Sequence, residues 1–423
     1  MANTMEVCKH NDFCGGCLHQ GMPYADQLAW KQEEFEKAMR EASVTCPDVR
    51  PIQGSPQIYR YRNKMEYTFG DLEKGGEMTL GMHRKKRYMS VMTVDECQLV
   101  DEDFNRILRA TLEFCIEKGY PKYHKKLHAG LMRHLVIRKG FRTRELLVNI
   151  MTTSESRFDE DGYVGALMRL DLDNEIVGII HTVNDNIADK ADRDESRVIY
   201  GRDYYNETVL GLRFRVSAFS FFQTNVEAAE RMYSDALGLL DDYGGLEVMD
   251  LYCGTGTITQ MLALRAGHVT GVEIVDDAVR SAMQNARANG LSNCDFIAGD
   301  VLEILRGAKE GTYDVPRPDV IAVDPPRVGI HRKALDLIAA YGVNQILYIS
   351  CQPKSLCRDI KYLEAFGYRP VYMKPYDNFP FTRHIETVVL MVNKNTAPKD
   401  YVKIGLDAED HHRIVKTGKQ QDD

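Results

Sequence analysis

Two residues that end predicted strands are the first candidates for chemistry in this 423-residue chain. Cys351 ends the apolar segment QILYISC, and Asp324 ends the segment VIAVD just before Pro325 and Pro326. A thiolate can add to C6 of a pyrimidine ring and so activate C5 toward an electrophile, after which a carboxylate or similar base must remove the C5 proton. The alternative for Cys351 is a buried apolar cysteine, which is common in protein cores.

A glycine-containing turn after another predicted strand suits a nucleoside ligand. In MDLYCGTGTIT, residues 249–259, Gly254 and Gly256 let the backbone approach a ligand closely. Thr259 stands where a dinucleotide site has its third glycine, and the Gly-Lys-Ser/Thr of a phosphate loop is missing as well. A nucleoside without phosphates, such as S-adenosylmethionine, fits this pattern. A glycine turn that only reverses the chain is the alternative.

Acidic residues end the next two predicted strands. Glu273 is placed to accept hydrogen bonds from two ribose hydroxyls, and Asp300 is expected near an adenine, although it can equally be an ordinary strand-terminal acid. Asp324-Pro-Pro resembles a loop of the adenine and cytosine amino-methyltransferases, but Arg327 replaces the aromatic residue that stacks on the base there. This difference disfavours methylation of an exocyclic amine.

The elements that must position these residues indicate an α/β fold. From about residue 245, short apolar segments alternate with helical ones, which predicts a parallel sheet with helices on both faces and is compatible with the class I (Rossmann-like) methyltransferase fold. Two final segments, YRPVYMKPYDN and HIETVVLMV, predict an antiparallel pair at its edge. We expect a mixed α/β domain with a cysteine cluster over 1–215, the methyltransferase-like domain over 216–393 and a polar tail over 394–423.

Composition narrows the class of protein. No apolar run is long enough to cross a bilayer and the N-terminus lacks a secretory signal, so we expect a cytoplasmic protein without membrane contact.

The net charge is −8, but residues 122–144 carry eight Lys/Arg and no acid, and HRKKR at 83–87 adds a second basic block. Such a local positive surface can bind a phosphate backbone. A solvated basic surface is the alternative.

Five motifs in order identify the chain as similar to the RNA uracil-5-methyltransferases, particularly the 23S ribosomal RNA branch that carries an iron–sulfur cluster. They are Phe221-Phe222-Gln223-Thr224-Asn225, Tyr252 to Gly256, Asp324 to Arg327, Ser350-Cys351 and His384-Ile385-Glu386-Thr387-Val388-Val389. The resemblance implies that Cys351 is the nucleophile and Glu386 the general base. It also implies that the cofactor or its surroundings contact Gln223, Tyr252, Glu273, Asp300 and Asp324.

The N-terminal cysteines extend this resemblance. Cys8, Cys14 and Cys17 are clustered and Cys97 lies far downstream, which looks like the four-thiolate cluster of this branch. Four thiolates suit zinc or a [4Fe–4S] centre, and three clustered cysteines with a remote fourth favour iron–sulfur over the paired hooks of zinc sites. Because uracil methylation needs no electron, we expect the cluster to cross-link the chain.

The expected function is therefore S-adenosylmethionine-dependent methylation of C5 of a uridine in 23S ribosomal RNA by a monomeric enzyme. The alternatives are a transfer RNA uridine methyltransferase and a non-catalytic RNA-binding or iron–sulfur redox protein that kept the fold. A cytosine-5 methyltransferase is disfavoured, because RNA enzymes of that kind usually carry a second cysteine after the two prolines, where this chain has Arg327 and Val328.

Overall fold

The computed structural model describes residues 7–187, 195–240 and 243–394, and a seven-stranded sheet forms the first half of it. Its strands are β1 (Lys64–Asp71), β2 (Met78–Arg84), β3 (Arg87–Thr93), β4 (Met132–Lys139), β5 (Glu145–Thr152), β6 (Glu175–Val183) and β7 (Glu195–Gly201). Their order is β3-β2-β1-β4-β5-β6-β7, and only β5 and β6 run parallel. β4 lies between β1 and β5 and is antiparallel to both.

Two helices pack against this first sheet. They are α2 (Glu102–Glu117) and α3 (Glu160–Leu167), whose apolar residues share a buried core with strand residues such as Leu80, Leu135 and Ile150. The ribbon of β8 (Tyr204–Val209) and β9 (Leu212–Ser217) then leads into the second half of the chain.

The second sheet has the predicted parallel core and antiparallel end. Its strands are β10 (Glu247–Leu251), β11 (His268–Glu273), β12 (Cys294–Ala298), β13 (Val320–Val323), β14 (Gln345–Ser350), β15 (Tyr368–Tyr376) and β16 (Glu386–Asn393). They are ordered β12-β11-β10-β13-β14-β16-β15, with the first five parallel and β16 antiparallel to both neighbours. β16 therefore lies between β14 and the edge strand β15.

Helices cover both faces of this second sheet. They are α4 (Val226–Gly238), α5 (Thr257–Ala263), α6 (Asp276–Ala288), α7 (Val301–Glu310), α8 (Arg332–Tyr341) and α9 (Pro353–Glu364). Along β14, Leu347 and Ile349 belong to one buried core, and Ile346 and Tyr348 to the core on the other face. This alternation explains why the strand is apolar throughout, and it confirms the predicted Rossmann-like fold class.

The first helix joins the two halves of the protein. α1 (Tyr24–Ala42) packs against α9, and its Phe35, Ala38 and Met39 lie in a core of the second sheet although the sequence places them in the first unit. The division at residue 215 stays a prediction, and the predicted polar tail lies outside the described residues after Lys394. In the described ranges, every helix is too short or too polar to pass through a lipid bilayer.

Candidate active site

A cleft of about 1000 Å³ opens at the carboxyl edge of the second sheet. Its lining brings together six of the seven predicted catalytic and cofactor residues, namely Cys351, Glu386, Asp324, Tyr252, Glu273 and Gln223. The parallel strands β10, β11, β13 and β14 all end at this edge, so side chains distant in sequence meet there. Six residues that were predicted from separate sequence motifs therefore line the same cleft.

Strand pairing makes Cys351 and Glu386 neighbours. β14 and β16 are antiparallel with Ser350 opposite Thr387, so Cys351 follows the end of one strand where Glu386 begins the other. Burial, together with the charges of Glu386 and Asp324, raises the pKa of the Cys351 thiol to about 11, although Arg327 acts in the opposite direction by its charge and by a hydrogen bond to the thiol. The protein alone therefore holds this group as a thiol at neutral pH.

The Glu386 carboxyl group is also held mostly in its protonated form. Its side chain is buried, and this burial, reinforced by Asp324, raises its pKa to about 8, while the Arg327 guanidinium acts in the opposite direction. Burial also raises the pKa of Asp324 to about 7. Two carboxyl groups and one thiol thus share a poorly solvated site beside the Arg327 guanidinium, and a positive charge entering the cleft would favour the ionised form of all three.

Arg327 is the residue of this site whose role the sequence analysis missed. We expected it only to replace a stacking aromatic residue, but its guanidinium lies beside Cys351 and 3.5 Å from Nδ1 of His384. Burial, together with the charges of Arg327 and Arg383, lowers the pKa of His384 to about 4. The signal that could have identified Arg327 is its position directly after the two prolines, where the backbone direction is fixed.

A buried acid holds the loop that carries Arg327. Asp359, on α9, accepts hydrogen bonds from the backbone N–H of Ile330 at 2.8 Å and from the hydroxyl of Tyr348 at 2.9 Å. The neighbouring Arg358 donates to the carbonyl of Val328 at 2.8 Å. Because α9 begins just after Cys351, one helix fixes both the nucleophile and the proline loop.

The glycine turn has a geometry suited to a nucleoside. Tyr252, Gly254 and Gly256 all have positive φ values, of 66°, 55° and 73°, and a Cβ on Gly254 would meet no atom within 4 Å. Gly256 must be glycine for a second reason, because a Cβ there would lie 2.6 Å from the ring of Phe296. The turn therefore leaves its backbone exposed toward the cleft.

Glu273 is fixed beneath this turn. Its Oε2 accepts a hydrogen bond from the N–H of Gly254 and its Oε1 from the N–H of Val275, each at 3.0 Å. Since a carboxylate oxygen has two acceptor sites, both oxygens can still accept a hydroxyl from a ligand. Together with the acidic groups around Cys351, which favour a cation, these residues fit the ribose and the positive charges of S-adenosylmethionine.

Asp300 is the predicted cofactor residue that the cleft lining does not include. It is exposed and caps α7, where its side chain accepts hydrogen bonds from the N–H groups of Leu302 and Glu303. It lies near the turn, since burial and then the charge of Asp300 raise the pKa of Tyr252 to about 12. A contact between Asp300 and the cofactor stays a prediction.

The segment from Phe221 to Asn225 divides its residues between packing and the cleft. Phe222 is buried with its ring 5.8 Å from that of Phe214, whereas Phe221 is 70% exposed and lines the cleft. The Gln223 side chain hydrogen-bonds to Tyr233. Asn225 caps α4 and donates to the carbonyl of Asn378, which is a structural role.

The four cysteines predicted to bind a cluster, Cys8, Cys14, Cys17 and Cys97, lie near one another and are not part of the cleft lining. Burial, together with the neighbouring thiols of Cys97, Cys14 and Cys8, raises the pKa of Cys17 to about 12. Within the described ranges, however, the His, Cys, Asp and Glu side chains form no group of three arranged to hold a metal ion. The structure therefore shows the proximity of the four thiols without a ligand geometry.

The basic segment 122–144 is less available to RNA than its sequence suggests. Five of its eight Lys/Arg side chains are buried or paired with acids, namely Lys122, Arg133, Arg138, Lys139 and Arg142. Arg133, Arg138 and Lys139 lie on β4, where they are buried or ion-paired within the protein. A role of the whole segment in RNA binding stays a prediction. Lys126 in the preceding loop and Lys86 and Arg87 in the β2–β3 turn remain exposed.

Comparisons with known proteins show the family of this chain. A family model described as tRNA (Uracil-5-)-methyltransferase matches residues 23–394. An uncharacterized RNA methyltransferase of Clostridium tetani is 45% identical over 90% of this chain and 83% of its own length, and one of Bacteroides thetaiotaomicron is 33% identical over 92% and 88%. The crystal structure of the Pyrococcus abyssi tRNA (uracil-54, C5)-methyltransferase with S-adenosyl-L-homocysteine has a TM-score of 0.73 and 25% identity, over 90% of this chain and 85% of that one.

Proposed function

The chain belongs to the tRNA (uracil-5-)-methyltransferase family, and we propose that its cleft methylates C5 of a uridine in RNA with Cys351 as nucleophile and Glu386 as general base. The family makes it an S-adenosylmethionine-dependent RNA methyltransferase. The observation that carries the assignment of residues is the position of both side chains in one cleft with the glycine turn. A thiol and a carboxyl group at adjacent strand ends can reach C6 and C5 of a single pyrimidine.

Cys351 acts first. Its thiol gives its proton to solvent water, and the thiolate adds to C6 of the uracil, which leaves an enolate with a nucleophilic C5. The Arg327 guanidinium beside the sulfur favours the thiolate and so offsets part of the effect of burial. Bound at the glycine turn, S-adenosylmethionine supplies an electrophilic methyl group.

Glu386 completes the reaction. Its carboxylate accepts the proton from C5, after which the bond between C6 and sulfur breaks and the ring double bond returns. The thiolate leaves with the electron pair of the broken bond, so the net change is replacement of hydrogen by methyl. The raised pKa of Glu386, about 8, makes its carboxylate a stronger base than an exposed glutamate.

The uridine must leave its stack to reach the cleft. We propose that the exposed ring of Phe221 stacks on a nucleotide at the mouth, and that Arg383, which is exposed beside His384, binds a neighbouring phosphate. The exposed Lys86, Arg87 and Lys126 extend the positive surface for the RNA backbone.

We further propose that Cys8, Cys14, Cys17 and Cys97 hold a [4Fe–4S] cluster. The proximity of the four thiols, which raise one another's pKa values, supports this donor set. The cluster would supply a cross-link between the N-terminal segment and residue 97, and none of the chemistry above needs it.

Two classes of RNA are candidate substrates. The four cysteines resemble the 23S ribosomal RNA branch and favour ribosomal RNA, whereas the likeness to the Pyrococcus abyssi enzyme favours transfer RNA. The test is to incubate the protein with each unmodified RNA and labelled S-adenosylmethionine and to identify the nucleosides by mass spectrometry. We expect 5-methyluridine in 23S RNA and none with Cys351→Ala. Product only in transfer RNA would reverse the choice of substrate, and a label on another base would overturn the function.

A further inference from the structure

The loop between β15 and β16, residues 377–385, leads directly into Glu386 and is held by the N-terminal third of the chain. Phe381 is a buried residue of this loop, 3% exposed. Its ring lies 5.1 Å from that of Tyr59, in the core of the first sheet rather than in a core of the second. Phe381 also has a positive φ of 65°, which a side chain adopts only when its surroundings impose it.

The backbone around Phe381 is hydrogen-bonded to three separate parts of the N-terminal third. Its carbonyl accepts from the N–H groups of Leu18 and His19 at 2.8 and 3.1 Å, just after Cys17. Its own N–H donates to Oε1 of Gln27 at 2.8 Å, and the hydroxyl of Tyr61 donates to the carbonyl of Pro380 at 3.0 Å.

A buried ion pair fixes the start of the same loop. Lys31 and Asp377 are both fully buried, with Nζ 2.5 Å from Oδ1, and Lys31 also donates to the carbonyl of Phe379 at 3.0 Å. Glu386 is the first residue of β16 and pairs with Tyr376, so strand pairing holds Glu386 and the residues after it but not the loop residues before it. The near side depends on the contacts around Phe381 and Asp377.

We infer that Phe381 is a positioning residue for Glu386, fastening the 377–385 loop to the Cys17–His19 segment and the first-sheet core so that the carboxyl group stays beside Cys351. This inference rests on the proposed function, because it concerns the step in which Glu386 removes the C5 proton. A base displaced by about 1 Å can lose roughly 100-fold in rate. The Cys17–His19 segment thereby affects removal of the C5 proton, although it lies outside the cleft.

The test compares Phe381→Ala and Phe381→Leu with the matched control Phe69→Ala, which removes a buried ring from the same core on β1. The measurements are release of tritium from C5 of labelled uridine RNA in a single turnover and the fraction of denaturation-resistant protein–RNA adduct. Phe381→Ala should slow tritium release by about 100-fold and accumulate adduct, as we also expect of Glu386→Gln, which lacks the base. Phe381→Leu should restore release to within about fivefold, and Phe69→Ala should keep the wild-type adduct fraction.

A milder pair keeps the test decisive if Phe381→Ala does not fold. Tyr61→Phe removes only the hydroxyl that donates to Pro380, and Tyr67→Phe removes a buried hydroxyl of the same core that has no hydrogen-bond partner in the described parts of the chain. Tyr61→Phe should slow proton release about fivefold, the equivalent of one hydrogen bond, and Tyr67→Phe should not change it.

Two results would overturn the inference, and they differ from failure of the proposed function. Adduct that stays at the wild-type fraction in Phe381→Ala, or in Tyr61→Phe if the first variant is unfolded, refutes the positioning role. An equal effect of Phe69→Ala on proton release refutes it as well. If Glu386→Gln itself forms no adduct, the proposed function is wrong and the inference is lost with it.

Discussion

Replacing Glu386 with glutamine should stabilise the folded protein by an amount that grows as the pH rises. Burial raises the pKa of Glu386 from an ordinary 4.5 to about 8 in the folded protein. Below pH 4.5 the carboxyl group is protonated in both the folded and the unfolded chain, so it has no pH-dependent effect. Between 4.5 and 8 only the unfolded chain loses the proton, and the free energy of unfolding of the wild type falls.

The size of the effect follows from that interval. Each pKa unit corresponds to about 1.36 kcal/mol, so the glutamine variant should gain up to about 5 kcal/mol over the wild type by pH 8. Above pH 8 the folded protein ionises as well, and the difference should level off. Urea unfolding of both proteins between pH 4.5 and 9, followed by far-UV circular dichroism, measures the difference at each pH.

If the free energies of unfolding of the two proteins differ by the same amount at every pH in this range, the reasoning is refuted. Such a result would mean that Glu386 ionises at the same pH in the folded and unfolded chains. Glu160→Gln, at the start of α3 and outside the cleft lining, is a control. Its carboxylate forms ion pairs with His181 and Arg197, so that variant should not become progressively more stable than the wild type as the pH rises.

Three further perturbations have defined outcomes. Arg327→Met should raise the pKa of the Cys351 thiol and slow its alkylation by iodoacetamide at pH 8 about tenfold, since a positive charge and a hydrogen bond are lost. Lys31→Met should lower the free energy of unfolding by about 3–5 kcal/mol in urea titrations, because Asp377 would remain buried without its partner, while adding Asp377→Asn should recover much of the loss. Cys97→Ala should remove iron, measured by metal analysis, and the brown colour of the purified protein.

Each of these has its own control. Arg383→Met removes a nearby exposed guanidinium that does not act on the thiol, so an equal effect on alkylation would contradict the role of Arg327. Cys115→Ala removes a buried thiol from the same core as Cys97. Iron lost equally from both cysteine variants, or retained in Cys97→Ala, would contradict the cluster assignment.

The catalytic half of the fold was predictable because its signals are local. Strands of the second sheet are buried on both faces and therefore read as short apolar segments, and parallel strands must end at a common edge. That rule was enough to bring Cys351, Asp324 and Glu273 to one cleft. The sequence did not predict that β16 lies inside the sheet and pairs with β14. This pairing puts Glu386 next to Cys351.

The contacts that the sequence did not reveal are long-range. Lys31 and Asp377 are 346 residues apart, and no local pattern pairs a lysine in one helix with an aspartate in a distant loop. The charge of Arg133 and Arg138 suggested a surface, but β4 buries both side chains. Phe381 resembles any core phenylalanine in sequence, so only the structure assigns its ring to the first sheet and its backbone to the Cys17–His19 segment.

The most direct test of the mechanism is to identify the residue that bonds to RNA. Glu386→Gln is incubated with substrate RNA and S-adenosylmethionine, denatured, digested with nuclease and protease, and analysed by tandem mass spectrometry. The mechanism predicts a methylated uridine attached through C6 to the sulfur of Cys351. A nucleotide attached to Cys253 or Cys357 instead, or free 5-methyluridine released at the wild-type rate without any adduct, would contradict it.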